Sequence, residues 1–291
     1  MYLSAERIAI ANQRVQETFA QTSAAWQAIP HWDTGDPAQL RVRSDITYAL
    51  DIKDGGLSGP IRGESLELEP KFVRFAVSVA QAIAPTPDAL LAAVIARTVH
   101  LAAHVDEKVI GLLNGKSEND IATTFDVNEL LSAFIDARAR LEDAGYRAPS
   151  CLLTDTGGLK ALNQLVDGLS MFQPVLDAAN INSVYRVDDF GDKNKGAEAS
   201  EGAEASKGAV GKESAVTYQG KMLLLGRRSR IPHGGAAAAS CGEEPMDLAV
   251  SVPPSLEVVG ETNDGNVELA VRIRFAPRLT DPNGIVGVVI S

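Results

Sequence analysis

Along residues 4–29, apolar side chains recur at three- and four-residue steps: Ile8, Ala11, Val15, Phe19 and Trp26. The opposite face carries Gln, Glu, Thr and Arg, and Ser4 offers a capping hydroxyl. The spacing therefore predicts one amphipathic helix from Ser4 to Ile29, stopped by Pro30. The stretch that follows, HWDTGDPAQL, holds the turn formers Asp33, Gly35, Asp36 and Pro37, and predicts an irregular arm. A helix with a trailing arm suits a segment that packs on something else, with a neighbouring subunit as the candidate.

Residues 41–70 are extended and polar around the glycine cluster DGGLSGPIRG, Asp54 to Gly63, with Val, Ile, Thr, Tyr and Leu on both flanks. Two strand-like flanks about a glycine-rich tip predict a long hairpin that cannot bury itself alone. Strict alternation then sets in, with Val73, Phe75, Val77 and Val79 on one side and Arg74, Ala76 and Ser78 on the other. Period two predicts a half-buried strand.

The strongest helical signal follows. Thr86 stands as cap, Pro87 at the first helical position and Asp88 in the first turn, and Leu90, Val94, Leu101, Val105 and Leu112 keep helical spacing up to Asn114-Gly115. At 1.5 Å per residue such a helix spans about 40 Å, long enough to be the spine of its domain. A second helix is expected from Asp126, with Glu129 completing a capping box, to Gly145. A strand at Cys151–Thr154, a helix around Leu159–Val166 and a strand near Ser183–Val187 complete a small α/β unit. Residues 189–215 repeat GAEAS twice with almost no large apolar side chain, which predicts a solvated inserted loop. Beyond it KMLLLG, a hairpin turning at Asp264-Gly265 between Leu256–Val259 and Val267–Phe275, and a closing strand Ile285–Ile290 predict a β-rich return.

Composition narrows the function classes. The 291 residues are 45% hydrophobic and 22% charged, which suits a packed core and excludes the disordered class. With 27 Lys and Arg against 38 Asp and Glu the formal charge is −11, which argues against tight sequence-specific DNA binding. It leaves room for a wall that merely surrounds nucleic acid. No apolar run reaches the roughly 18 residues of a membrane span, so no membrane partner is expected. Cys151 and Cys241 are too few for a disulfide scaffold.

Candidate chemistry is sparse. Asp155-Thr156-Gly157 matches the aspartic-protease triplet, which would need a second subunit to supply the paired carboxylate; the same residues are ordinary caps of a following helix. His100 and His104 have zinc-like spacing, without a general-base Glu beside the first, so no metal is expected. The usual phosphate-loop and nucleophile-elbow signatures are missing, and no catalytic residue or cofactor is assigned. Arg227, Arg228 and Arg230 form a basic cluster that suits a solvated edge or intersubunit ion pairs. Trp26 and Trp32 bracket the end of the first helix as interface anchors or core contacts.

The order of these parts resembles the Hong Kong 97-type major capsid proteins of tailed bacteriophages, a fold shared by the encapsulin shells. Four stretches carry the likeness: TSAAWQAI in the first helix; LAAHVDEKVIGLLNG, Leu101 to Gly115, with its acidic pair and terminal glycine; DVNELLSAFIDARARLEDAGYRAPSCLLTDTGGLKAL; and the closing VELAVRIRFAPRLTDPNGIVGVVI. The resemblance implies an α+β chain in four parts. These are an N-terminal helix and arm (1–40), an extended loop (41–72), a peripheral domain (73–145 and 240–291) with spine helix 87–114, and an α/β apical domain (146–239) carrying the insert 189–215. It further implies self-assembly through pentamers and hexamers into an icosahedral shell around viral double-stranded DNA, formed in the host cytoplasm, with a separate scaffold, a portal and decoration proteins as partners. An encapsulin shell around a cargo enzyme is the alternative. Intersubunit contacts are expected at Trp26, Trp32, Leu57, Ile61, Arg62, Arg227 and Arg228. Some members join subunits through a Lys to Asn isopeptide bond; Lys53 and Asn283 lack a matching motif, and that chemistry is not carried over.

Overall fold

The computed structural model describes residues 3–45, 51–53, 56–58, 63–116, 119–188, 190, 219–262 and 264–291. The chain opens with α1 (Ala5–Thr22) and α2 (Ala24–Ala28), then β1 (His31–Asp33), β2 (Arg41–Asp45), β3 (Asp51–Lys53), β4 (Gly56–Ser58), β5 (Gly63–Glu67) and β6 (Glu69–Ser78). It continues through α3 (Val79–Ile83), α4 (Asp88–Lys116), β7 (Ile121–Thr123), α5 (Val127–Asp143), β8 (Ala148–Thr154), α6 (Thr156–Leu162), β9 (Leu165–Val166) and β10 (Leu169–Ser170). Next come α7 (Phe172–Ala178), β11 (Ile181–Arg186), β12 (Gly220–Arg227), β13 (Met246–Glu261), β14 (Asn266–Leu279) and β15 (Ile285–Ile290). The expected insert 189–215 lies outside the described residues except for Phe190.

The first helix is two helices. At Ser23 the backbone turns extended and the side chain caps α2, accepting from the Trp26 amide. The break is held from far away: Asp106 of α4 accepts from the Ser23 hydroxyl at 2.5 Å and from the amides of Ala24 and Ala25 at 2.9 and 3.0 Å. Burial pushes the Asp106 carboxyl above its usual range, and these three donors pull against that rise. The arm is also corrected: β1 pairs in parallel with β13, His31 opposite Leu248 through Asp33 opposite Val250. Ala11, Val15, Phe19 and Ile29 are buried in the main core. The N-terminal helix and arm therefore pack on their own chain.

The β6 alternation appears as expected for Phe75 and Val77, which are buried, while Val79 opens α3 behind a Ser78–Gln81 capping box. In α4, Leu90, Val94, Leu101, Val105, Val109 and Leu113 form the buried stripe. Over Asp88–Gly115 its mean hydropathy makes it, among the described residues, one helix long and apolar enough to cross a membrane by length and composition. Arg97 and His100 interrupt the apolar run. Here it packs against α1, α2 and β6. Asp126 caps α5 through the amides of Asn128 and Glu129, but Glu129 bonds the Thr124 hydroxyl instead of closing the expected capping box.

Two main sheets organise the chain. The first has the order β1-β13-β14-β6. Pro253-Pro254 falls where the β13–β14 register skips between Val252 and Ser255, as a residue without an amide hydrogen requires. The second has the order β11-β8-β12-β15-β7, and its residues alternate between two cores. Cys151, Leu153, Leu223, Leu225 and Ile285 face the main core shared with α1, α4 and the first sheet. Leu152, Met222, Leu224, Val286, Val288 and Ile290 face a second core under α5, α6 and α7. β7 and β15 are strands of this five-stranded sheet, and α5 packs on it through the second core.

Tyr146 locks the turn between α5 and β8. Its ring lies so close to Gly226 and Gly284 that a methyl at either glycine would come within 2.6 and 2.7 Å of ring atoms. Its hydroxyl donates to Asp281 at 2.9 Å, and Arg228 sits 4.4 Å over the ring.

Candidate assembly interface

Two ribbons, β2–β5 and β3–β4, stand beside the main sheets among the described residues. Each is a two-stranded antiparallel sheet separate from the two main sheets. In the first, Arg41 pairs Glu67 and Asp45 pairs Gly63; in the second, Ile52 pairs Leu57. An isolated two-stranded ribbon is at best marginally stable in water. Of the expected contact residues, Leu57 lies in β4 with its side chain outside the described residues, and Ile61 and Arg62 lie wholly outside them.

The ribbon base, by contrast, is anchored. Val42 and Leu68 are buried in a small cluster with Ala249 and Ala276, flanked by Trp32 and Leu66. The Leu68 amide donates to the Leu40 carbonyl at 2.8 Å. Arg278 forms a two-pronged ion pair with Asp247, both contacts 2.6 Å, lies 4.7 Å over the Trp32 ring and donates to the Arg43 carbonyl at 3.0 Å. The Trp32 indole also donates to Asp247 at 3.2 Å. None of these pairs was visible in the sequence, because Arg278 and Asp247 sit opposite one another only through the β13–β14 register.

Trp26 is engaged within the chain, edge-on to Phe19 at 5.2 Å and stacked on His31 at 3.7 Å. Burial lowers the pKa of the His31 imidazole, against a smaller rise from its hydrogen bond to the Ile29 backbone. The basic cluster splits. Arg227, expected at an exposed edge, is buried with its side chain 1% exposed, because β12 carries it into the interior. There it pairs with Glu244 at 2.6 Å and donates to Asn182, Ser183 and the carbonyls of Ile231 and Ala28. Burial pushes the Glu244 carboxyl up to about 7 despite this partner, and its other oxygen is buried without a hydrogen bond. Arg228 stays partly exposed beside Asp281 and Tyr146.

Asp155 is a structural carboxylate. One oxygen accepts from the Gly158 amide at 2.7 Å, capping α6, and the other accepts from the Lys221 amide of β12 at 3.0 Å. A Cβ at Gly157 would lie 2.0 Å from the Gln219 carbonyl oxygen, so the glycine allows the helix end to touch the neighbouring chain segment. The expected helix at Leu159–Val166 thus starts earlier, at Thr156, and ends at Leu162. His100 and His104 are exposed on α4, and among the described residues no group of three His, Cys, Asp or Glu could hold a metal. Exposed apolar side chains gather on the β9–β10 hairpin, where Leu165 and Leu169 are 69% and 73% exposed.

Comparison with solved structures identifies the fold. A virus-like particle protein from Pyrococcus furiosus aligns over 98% of this chain and 98% of its own, with a TM-score of 0.62 at 13% identity. A phage-related protein from Bordetella bronchiseptica aligns over 96% of both chains with a TM-score of 0.63 at 10% identity. The holo encapsulin complex of Synechococcus elongatus aligns over 92% of this chain and 87% of its own, with a TM-score of 0.52 at 10% identity. No protein-family model and no curated protein sequence matches the chain. At these identities the likeness is one of fold: the chain has the Hong Kong 97-like shell-protein fold expected from the sequence.

Proposed function

We propose that this chain is a major capsid protein that assembles with copies of itself into a closed icosahedral shell around double-stranded DNA. The observation that carries the reading is the end-to-end correspondence with the Pyrococcus furiosus virus-like particle protein, N-terminal helix to last strand. The two self-paired ribbons support it, because two-stranded ribbons carry unpaired edges that a neighbouring strand or surface can cover. In this reading the five-stranded sheet with α5–α7 is the apical domain, and the four-stranded sheet with α4 is the peripheral domain. The ribbons, with Leu57, Ile61 and Arg62, reach the neighbouring subunit, and Trp32 and Arg228 flank that contact. Pentamers and hexamers form the wall, with scaffold, portal and decoration proteins as further partners. The net charge of −11 suits a wall that encloses DNA without gripping it. The shell's place is the virion, assembled in the host cytoplasm, and no catalytic step is assigned to it.

The encapsulin reading is favoured by one feature: α1 and α2 fold back on the body, in a chain that aligns with an encapsulin over 92% of its length. Negative-stain microscopy of the purified protein tests the common claim, with uniform closed particles expected. Only monomers or small oligomers at high concentration overturn it. A ratio of absorbance at 260 to 280 nm characteristic of nucleic acid, in particles from cells that also express the packaging proteins, supports the capsid; a co-purified enzyme supports the cargo shell.

A further inference from the structure

We infer that Arg278 is a positioning residue, which fixes the direction in which the β2–β5 ribbon leaves the body of the chain and so lets it meet a second copy. The positional claim stands on this chain alone; the assembly claim rests on the shell reading.

Four strands meet at one guanidinium. Arg278 lies on β14, its carboxylate partner Asp247 on β13, the ring beneath it, Trp32, on β1, and the carbonyl it reaches, Arg43, on β2. The first three strands belong to one sheet, and β2 does not. The ribbon joins β6 through the single residue Leu68, which lies between β5 and β6. A narrow ribbon on so short a connection twists and pivots easily unless side chains hold it. The small apolar cluster around Val42 and Leu68 holds it without directional preference, since apolar burial has none. Arg278 adds the direction: its planar fork is oriented by two bonds to Asp247 and by the Trp32 face, which leaves Nη1 aimed at one carbonyl of the ribbon. Arg274, the residue four earlier on β14, similarly donates to the Pro37 carbonyl at 3.3 Å in the segment leading into β2.

Asp247 is almost fully buried, with its side chain 2% exposed, so removing the cation outright would strand a charge. Arg278→Lys avoids this. The ammonium keeps Asp247 paired but lacks the fork needed to reach Arg43 as well, and the flat face that stacks on Trp32. Hydrogen exchange is read separately for β2 with β5 and for the central part of β13 with β14, together with particle diameter by electron microscopy. Arg278→Lys is expected to speed exchange in the ribbon amides about tenfold while leaving the sheet amides unchanged, and to broaden the particle diameters. The paired variant Arg278→Gln with Asp247→Asn, which removes both charges, is expected to do the same. Unchanged ribbon exchange in both variants overturns the positional claim, and so does acceleration spread evenly over ribbon and sheet. Faster ribbon exchange with particle diameters like those of the parent overturns the link to assembly. A parent protein that forms no particles defeats the shell reading instead, and the exchange measurement still decides whether Arg278 positions the ribbon.

Discussion

The five-stranded sheet and the β2–β5 ribbon meet opposite demands on backbone and side chains. Each long strand of the sheet has neighbours that take up its ladder, and residues of both parities are buried, as in Met222 to Leu225. At Gly157, Gly220, Gly226 and Gly284 the neighbours press too close for any side chain larger than glycine. Among the described residues the ribbon's strands pair only with each other, its apolar anchor is the small cluster at its base, and Arg278 ties it to the four-stranded sheet. In the proposed shell the first region is complete within one subunit, and the second is the part that a neighbour would cover. A mutation in one should therefore change folding, and a mutation in the other should change association.

Replacing residues 46–62 with a short Gly-Ser linker is the most severe test of that contrast. Complete loss of particles is expected, with a melting temperature close to that of the parent; intact particles would end the contrast. In the sheet, Tyr146→Ala empties the slot between Gly226 and Gly284 and is expected to cost roughly 3–5 kcal/mol in urea unfolding. Next comes the buried pair. Arg227→Met leaves Glu244 unpaired and is expected to cost about 3–5 kcal/mol at pH 8, with much of the loss recovered on adding Glu244→Leu.

The same carboxylate gives a pH signature. Because its folded pKa is raised to about 7, above the unfolded value, the folded state binds the extra proton, and stability from this group falls as pH rises from about 4.5 to 7. Comparing parent and Glu244→Gln across that window should show the Gln variant without this decline; parallel curves would contradict the assignment. The smallest effect is expected at Asp155→Ala, about 1 kcal/mol for a lost helix cap, measured by the same unfolding curves.

Local signals in the sequence located most elements. Helical spacing placed α4 and α5, alternation placed β6, and Asp264-Gly265 marked the β13–β14 hairpin. Failures came where a distant residue decided the outcome. Nothing between Ser4 and Ile29 announces the break at Ser23, because the carboxylate that holds it is Asp106, 83 positions away. The arm looked irregular because β1 is three residues long and pairs with a strand more than 200 positions later. Arg227 and Arg228 are adjacent and chemically alike, yet strand geometry sends one inward and leaves the other at the edge. The glycine-rich loop drew attention in the sequence as the candidate interface, while the anchor at Arg278 did not, since that depends on the register of a sheet.

The position of β15 bears on the order of events during synthesis. It lies between β12 and β7, both translated before it, so the gap in the sheet remains open until residues 285–290 leave the ribosome. Until then the edges of β12 and β7 stay unpaired, and the core under α5 lacks Val286, Val288 and Ile290. A chain lacking these residues would leave an open seam between β12 and β7, with apolar side chains uncovered.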